Sequence, residues 1–256
     1  MLFDSIIYGP IHSRRLGMSL GVNLMPTNHK ICSFDCVYCE IGWNTPISHP
    51  QLPSREEVAK ALEKTLQQLE QQPDVITFSG NGEPTLHPEF EAIITDTCAL
   101  RDAYCPKAKV SVLSNSTQVV REDVFRALQQ CDNRIMKLDS GITRTMRLID
   151  RPVNENLTVE TIIERLQRFE GDFTLQTCFL RGIVPDGDGQ TPIDNTTDEE
   201  LAAWYKAVDL LRPKQIMIYV IDRKTPCETL AKIPREKMED IAAPLRVKGY
   251  EVIVSA

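Results

Sequence analysis

The sequence predicts an α/β protein built as a partial (βα)6 barrel, and three observations predict it. From residue 19 onward, short apolar or β-branched runs alternate with longer segments of helical period, the pattern of parallel strands joined by helices. Six such runs are present, with centres mostly about 25 to 40 residues apart, the length of a βα unit. At 256 residues and 42% hydrophobic content, the chain is long enough for one barrel-type core.

Residues 1–18 are expected to form an N-terminal extension, and 19–256 the barrel core with a C-terminal edge, all in one domain (1–256). No linker, low-complexity stretch or internal repeat divides them. The first strand is placed at Ser19 to Met25. A helix follows in which Val58, Leu62, Leu66 and Leu69 share a face, opened by the Ser54/Glu57 capping pattern and ended by Pro73. Strands two to four are placed at Asp74 to Ser79, Lys109 to Ser114 and Arg134 to Asp139. Val159, Ile162, Ile163, Leu166 and Phe169 mark another helix, closed by Gly171. The fifth strand is placed at Phe173 to Leu180 and the sixth at Gln215 to Ile221, with a capping box at Thr197 and Glu200 between them. The tail Gly249 to Val254 offers an edge strand.

A formal charge of -7 argues against holding nucleic acid by broad electrostatic attraction. The stretch Met1 to Pro10 carries Asp4 within its apolar run and lacks the pattern of a signal peptide, and no run is long enough to span a membrane. Eight cysteines without an export signal point to a reducing, cytoplasmic interior where thiolates are available for metal.

The first interval is long because it holds Cys32-Ser33-Phe34-Asp35-Cys36-Val37-Tyr38-Cys39. Three thiolates at this spacing can hold three corners of a four-iron, four-sulfur (4Fe-4S) cluster and leave one iron open to a small molecule. A structural zinc site, completed by His29 or His49 into a Cys3His set, is the other reading of the same cysteines. After the second strand comes Ser79-Gly80-Asn81-Gly82-Glu83-Pro84, where glycines permit close backbone approach and Glu83 supplies an anionic acceptor. Loops after barrel strands gather at the face that carries chemistry, and both segments are such loops.

Strand parity sends Ser111, Leu113 and Asn115, then Lys137 and Asp139, then Gln176 and Cys178 inward. Lys137 and Asp139 have an alternative role as an internal ion pair. Arg144, Arg147 and Arg151 follow the fourth strand, Arg181 the fifth, and Arg223 with Lys224 the sixth, so cations collect at the active face of an acidic chain. They suggest an anionic substrate held by bidentate arginine contacts. Cys227 is either a hydrogen-atom relay or a buried inert thiol, and Cys98, Cys105 and Cys131, placed at helix ends, do not make a second cluster site.

The cysteine loop with Tyr38 before its last cysteine, and Gly80 to Pro84 as a variant of a Gly-Gly-Glu-Pro element, resemble the signatures of the radical S-adenosylmethionine (radical SAM) enzymes. The resemblance implies a (βα)6 core, one 4Fe-4S cluster on Cys32, Cys36 and Cys39, and S-adenosylmethionine as cosubstrate. It implies cosubstrate contacts from Tyr38, Gly80, Asn81, Gly82, Glu83 and Pro84, and from Asn115 and Asp139 near strand ends. Asn81 is an insertion relative to the commoner form. Reductive cleavage to a 5'-deoxyadenosyl radical is the implied chemistry, with hydrogen abstraction from a substrate bound by Arg144, Arg147 and Arg151. A small electron donor such as flavodoxin or ferredoxin is the implied partner.

Gly9 to Gly21 together with the cysteine loop is similar to the subgroup related to wyosine tRNA synthases. Those enzymes hold an additional cluster on cysteines that precede the loop, and here no cysteine precedes Cys32. Wyosine-type tRNA modification therefore stands as an alternative, beside glycyl-radical enzyme activation and a non-enzymatic electron carrier.

Overall fold

The computed structural model describes residues 2–256, and Met1, the first residue of the expected domain, lies outside the described residues. Contacts divide the chain into two compact units, one holding residues up to 33 and 44–135, the other 34–43 and 136–256. Among the described residues no helix is long and apolar enough to cross a membrane.

In the first unit, β1 (Ile7–Ser13) pairs antiparallel with β2 (Gly17–Val22), and β2, β3 (Val75–Phe78) and β4 (Lys109–Ser114) run parallel in that order. The start of β5 (Asn133–Lys137) completes it. Helix α1 (Arg55–Gln68) begins at Ser54, whose side chain accepts the Glu57 N–H while Glu57 bonds back to the Ser54 N–H. Two orphan donors of the first turn are thereby satisfied. Val58, Leu62 and Leu66 are buried, each worth roughly 1.5–3 kcal/mol of hydrophobic transfer. Helices α2 (Phe90–Tyr104) and α3 (Glu122–Gln130) bury Phe90, Ile93, Ile94, Val124 and Leu128. The Phe90 ring meets Phe78 edge to face at 6.2 Å.

The second unit contains the end of β5, then β6 (Thr174–Cys178), with the order continuing through a later strand, β9 (Gln215–Tyr219), to β11 (Glu251–Ser255). Strands β6, β9 and β11 are parallel. Helices α4 (Thr143–Asp150) and α5 (Val159–Gln167) lie between β5 and β6, and α6 (Asp198–Leu211) and α7 (Arg235–Val247) precede β9 and β11. Trp204 of α6 is buried and donates its indole N–H to Thr177 at 3.0 Å. A separate three-stranded sheet has the order β10 (Ala231–Lys232), β7 (Leu180–Asp186), β8 (Gly189–Asp194).

The six expected βα strands are β2, β3, β4, β5, β6 and β9, and β11 is the expected edge strand. Several details differ from expectation. Residues 1–18 include β1 rather than a simple extension, and the fifth strand stops at Cys178. Phe179 still bonds to the Tyr219 carbonyl, and Leu180 already belongs to the β7–β8 hairpin. Leu69 is an extended C-cap and Phe169 lies in the turn after α5, so neither extends its helical face. Gly171, expected to close the helix, stands three residues beyond the Arg168 C-cap and at φ +88° ends the following turn instead.

Candidate functional site

Cys32 belongs to the first unit, and Cys36 and Cys39 to the second. All three are free thiols, Cys36 buried and the other two half-buried.

In the first unit, the residue before Cys32 is bonded into the glycine-rich segment. The Ile31 N–H donates to the Asn81 carbonyl and the Glu83 N–H to the Ile31 carbonyl, each at 3.0 Å, forming a parallel bridge centred on Gly82. A Cβ on Gly82 would stand 1.7 Å from the Ile31 carbonyl oxygen, and φ is +151°, so glycine alone permits the bridge. The Asn81 side chain is spent on backbone: Nδ2 donates to the carbonyls of Phe3 and Pro26, and Oδ1 accepts the Phe3 N–H. Its own N–H donates to Asn23 Oδ1 at 3.0 Å. The inserted residue is thus a structural hub. Pro84 opens a 3-10 turn, Pro84–Leu86, capped by Glu83.

The buried Glu83 carboxylate accepts the Thr85 N–H at 3.1 Å, the Thr85 hydroxyl at 2.5 Å and the Asn115 N–H at 2.7 Å. Burial pushes its pKa up, against the pull of the bonds from Asn115, Thr85 and Ser114. Asn115 Nδ2 donates to Ser33 at 2.8 Å and reaches Cys32 Sγ at 3.5 Å. Its oxygen accepts from the Thr117 N–H and hydroxyl, and Thr117 bonds Ser33 at 2.6 Å. Cys32, Ser33, Gly80 to Pro84, Asn115 and Thr117 therefore share one network.

In the second unit, the cysteine loop runs beside the last turn of α4. Asp35 N–H donates to the Asp150 and Arg151 carbonyls at 2.9 and 3.1 Å, and Val37 N–H to Ile149 at 2.9 Å. Two turns follow, Cys39 N–H to Cys36 carbonyl and Gly42 N–H to Cys39 carbonyl. The Lys137 ammonium donates to Cys36 Sγ at 2.9 Å and lies 3.1 Å from Asp139, 2.6 Å from Asp150 and 4.6 Å from the Tyr38 ring centre. Burial alone would lower its pKa, but Asp139, Asp150 and Cys36 hold it well above the usual lysine value. Burial pushes Asp150 up to about 8 against the pull of Lys137. The Tyr38 hydroxyl donates to Asp139, whose other oxygen accepts the Cys178 N–H at 2.8 Å. Burial, then Asp139, hold the Tyr38 phenol well above its usual value. Asp139 thus has three protein donors, including its internal ion pair with Lys137.

Arg144 and Arg147 are exposed on α4, Arg151 is its half-buried C-cap, and all three line a cleft of about 460 Å³ with Pro185 and Asp186 of the β7–β8 hairpin. Arg147 Nε donates to the Leu157 carbonyl at 3.2 Å and Arg151 Nη1 to that of Pro185 at 3.3 Å. Of the other expected cations, Arg223 pairs with Glu40 at 2.9 Å and Lys224 with Glu228 at 3.1 Å, whereas Arg181, exposed on β7, has no ion pair among the described residues. Cys227 is buried, its sulfur 3.2 Å from the Ile183 carbonyl oxygen. Cys105 and Cys131 cap α2 and α3, while Cys98 lies inside α2 rather than at a helix end.

Sequence reasoning missed Asp150, Ser33, Thr117 and Trp43, whose ring lies 5.4 Å from the Arg151 guanidinium. None carries a local pattern; each acquires its place from a partner distant in sequence.

Among the described residues no three His, Cys, Asp or Glu side chains converge as a single ion would require. A cluster instead takes each thiolate on a separate iron, so the fit lies in the donor set. Three thiols in one loop would be the ligands of such a group, and N–H groups from Asn115 and Lys137 reach two of the sulfurs. Such outer contacts orient and electronically tune ligating sulfur. His29, one of the two candidate fourth ligands in the zinc reading beside His49, has a buried Nδ1 without a hydrogen-bond partner among the described residues.

Residues 29–171 match the model of the Radical SAM superfamily. Curated relatives include the "GTPase Obg" of Brachyspira hyodysenteriae, 30% identical over 91% of this chain and 32% of that protein. UPF0026 proteins of Methanocaldococcus jannaschii and Helicobacter pylori are 33% and 30% identical over 70% of this chain, covering 55% and 57% of their own lengths. The chain thus spans between a third and little more than half of these relatives. Among solved structures, TYW1 with a lysine-pyruvate adduct bound matches with TM-score 0.62 at 14% identity, over 90% of this chain and 73% of that one. Streptococcus suis SuiB bound to S-adenosylmethionine matches with TM-score 0.63 at 12% identity, over 92% and 50%. Native anSMEcpe with bound AdoMet matches at 0.60 and 15% identity, over 92% and 63%. These likenesses show the fold, the partial (βα)6 barrel that the sequence predicts.

Proposed function

The chain belongs to the radical SAM superfamily, and from that premise we propose that it is an enzyme acting on an anionic substrate through one 4Fe-4S cluster held by Cys32, Cys36 and Cys39. When bound, the cluster and S-adenosylmethionine supply the 5'-deoxyadenosyl radical that removes a hydrogen atom from the substrate. The observation that carries the reading is the Ile31–Gly82 bridge, which ties the residue before Cys32 to the Gly80–Pro84 segment.

The chain's own residues divide the work. Glu83, whose charge is balanced by neutral donors, attracts the cosubstrate's ammonium beside the backbone of Gly80 and Gly82. Asn81 keeps that backbone in place, and Pro84 starts the turn that presents the Thr85 N–H to Glu83. Asn115 orients Cys32, and Lys137 orients Cys36. Asp139 acts through Tyr38, fixing the ring beside the cosubstrate. Arg144, Arg147 and Arg151 bind the substrate. A small donor such as flavodoxin or ferredoxin delivers the electron in the reducing cytoplasm.

Anaerobic reconstitution followed by reduction with dithionite tests the reading. The expected product from S-adenosylmethionine is 5'-deoxyadenosine, absent with Cys32→Ala. Iron and labile sulfide without 5'-deoxyadenosine would favour an electron carrier, and zinc without sulfide would overturn the cluster assignment.

A further inference from the structure

Six arginines of this protein are paired with acidic side chains, and Arg144, Arg147 and Arg151 are set apart from the rest by lining one cleft together. Arg55, Arg101, Arg121, Arg126, Arg223 and Arg246 each contact a carboxylate within 2.5 to 2.9 Å. Among the described residues, Arg144, Arg147 and Arg151 pair with none, although acidic residues outnumber basic ones, 36 to 29. They stand at positions i, i+3 and i+7 of α4 and its cap, so they share one face of the helix. Two of them are held by neutral acceptors, the Leu157 and Pro185 carbonyls, which position a guanidinium without cancelling its charge. Arg151 Nη1 is committed to Pro185, while its Nε is buried with no hydrogen-bond partner among the described residues. The cleft they line includes one carboxylate, Asp186, which accepts the Thr191 hydroxyl at 2.8 Å.

We propose that this cleft binds a diphosphate group, and that the substrate is a small diphosphate ester. Three guanidiniums facing one carboxylate match an anion of two to three charges better than a single carboxylate, and their planar forks fit phosphate oxygens in bidentate pairs. The cleft, at about 460 Å³, has the size of a small-ligand site. The net charge of -7 disfavours the long-range attraction that a nucleic acid strand would need. Trp43, 5.4 Å from the Arg151 guanidinium, flanks the arginine and limits its freedom.

Calling the anion a substrate rests on the radical SAM reading; its binding does not. Calorimetric titration of the reconstituted chain with inorganic pyrophosphate should give saturable binding at least tenfold tighter than orthophosphate. Arg144→Ala/Arg147→Ala should weaken it at least tenfold, with partial rescue by Arg147→Lys in the Arg144→Ala background, while Arg126→Ala leaves it unchanged. Should the double variant fold poorly, Arg144→Ala alone, at an exposed position with no hydrogen bond among the described residues, should still weaken binding several-fold. No saturable binding, equal affinity in wild type and the arginine variants, or tighter binding of a single-stranded oligonucleotide than of pyrophosphate would overturn the proposal. Formation of 5'-deoxyadenosine by the unaltered protein is a separate readout, so failure there removes the radical reading and leaves the anion site standing.

Discussion

The two compact units treat a buried carboxylate in opposite ways. In the first, Glu83 is surrounded by neutral donors, the N–H groups of Thr85 and Asn115 and the Thr85 hydroxyl. In the second, Asp139 and Asp150 share the Lys137 ammonium. Neutral donors stabilise an anion without cancelling it, so Glu83 still attracts a cationic group. An ammonium largely cancels its partners, so the Lys137 set is suited to holding Cys36 and Tyr38 in place. In the proposed site, the first arrangement binds and the second positions.

Breaking the second arrangement should have the largest effect. Lys137→Met leaves the buried Asp139 carboxylate without its cation and should cost about 3–5 kcal/mol in urea unfolding. A change below 1 kcal/mol would show that Lys137 and Asp139 do not act as one unit. Gly82→Ala should cost on the order of 2–4 kcal/mol, because the new Cβ collides with Ile31 and forces the bridge apart. Its iron content after reconstitution should fall with it; normal loading would separate the bridge from the cysteine loop.

Glu83→Gln sharpens the comparison. Thr85 and Asn115 donate to different carboxylate oxygens, so the amide nitrogen must face one donor, costing about 1–3 kcal/mol. S-adenosylmethionine affinity should drop at least tenfold, whereas a binding constant within twofold of wild type would remove Glu83 from the ammonium site.

The smallest effect is in pH. Asp150 has a raised folded pKa, about 8, so the fold holds its proton more tightly than the unfolded chain does. Its contribution is full below the unfolded carboxylate range and is lost as pH rises toward 8, by up to about 1.4 kcal/mol per pH unit. Urea midpoints of the metal-free chain should therefore decline toward pH 8, and Asp150→Asn should flatten the decline; an identical slope in both would place the titration elsewhere.

The legible parts of the molecule are those whose cause is local. Strand β4 has the predicted bounds Lys109 to Ser114, and α1 starts at Ser54, because apolar pattern and capping chemistry act over a few residues. The cysteine loop was legible for the same reason: its three thiols lie within eight residues. Strand β1 was missed because Gly9 and Pro10 interrupt it, and it pairs with β2 across a register shift between Tyr8 and Ile11. The β7–β8 hairpin left a signal in Asp186-Gly187-Asp188-Gly189 that the long fifth strand obscured. Strand parity placed Lys137 and Asp139 on one face. It did not show that Lys137 meets a thiol 101 residues away, or that Asn81 serves Phe3 and Pro26 rather than a ligand.

The central claim is that three protein thiolates leave one iron open for S-adenosylmethionine. Electron paramagnetic resonance of the reduced, reconstituted protein, recorded before and after adding S-adenosylmethionine, tests this directly. The account predicts a 4Fe-4S signal whose g values shift on addition. A signal that S-adenosylmethionine does not alter, with 5'-deoxyadenosine also absent, would contradict it.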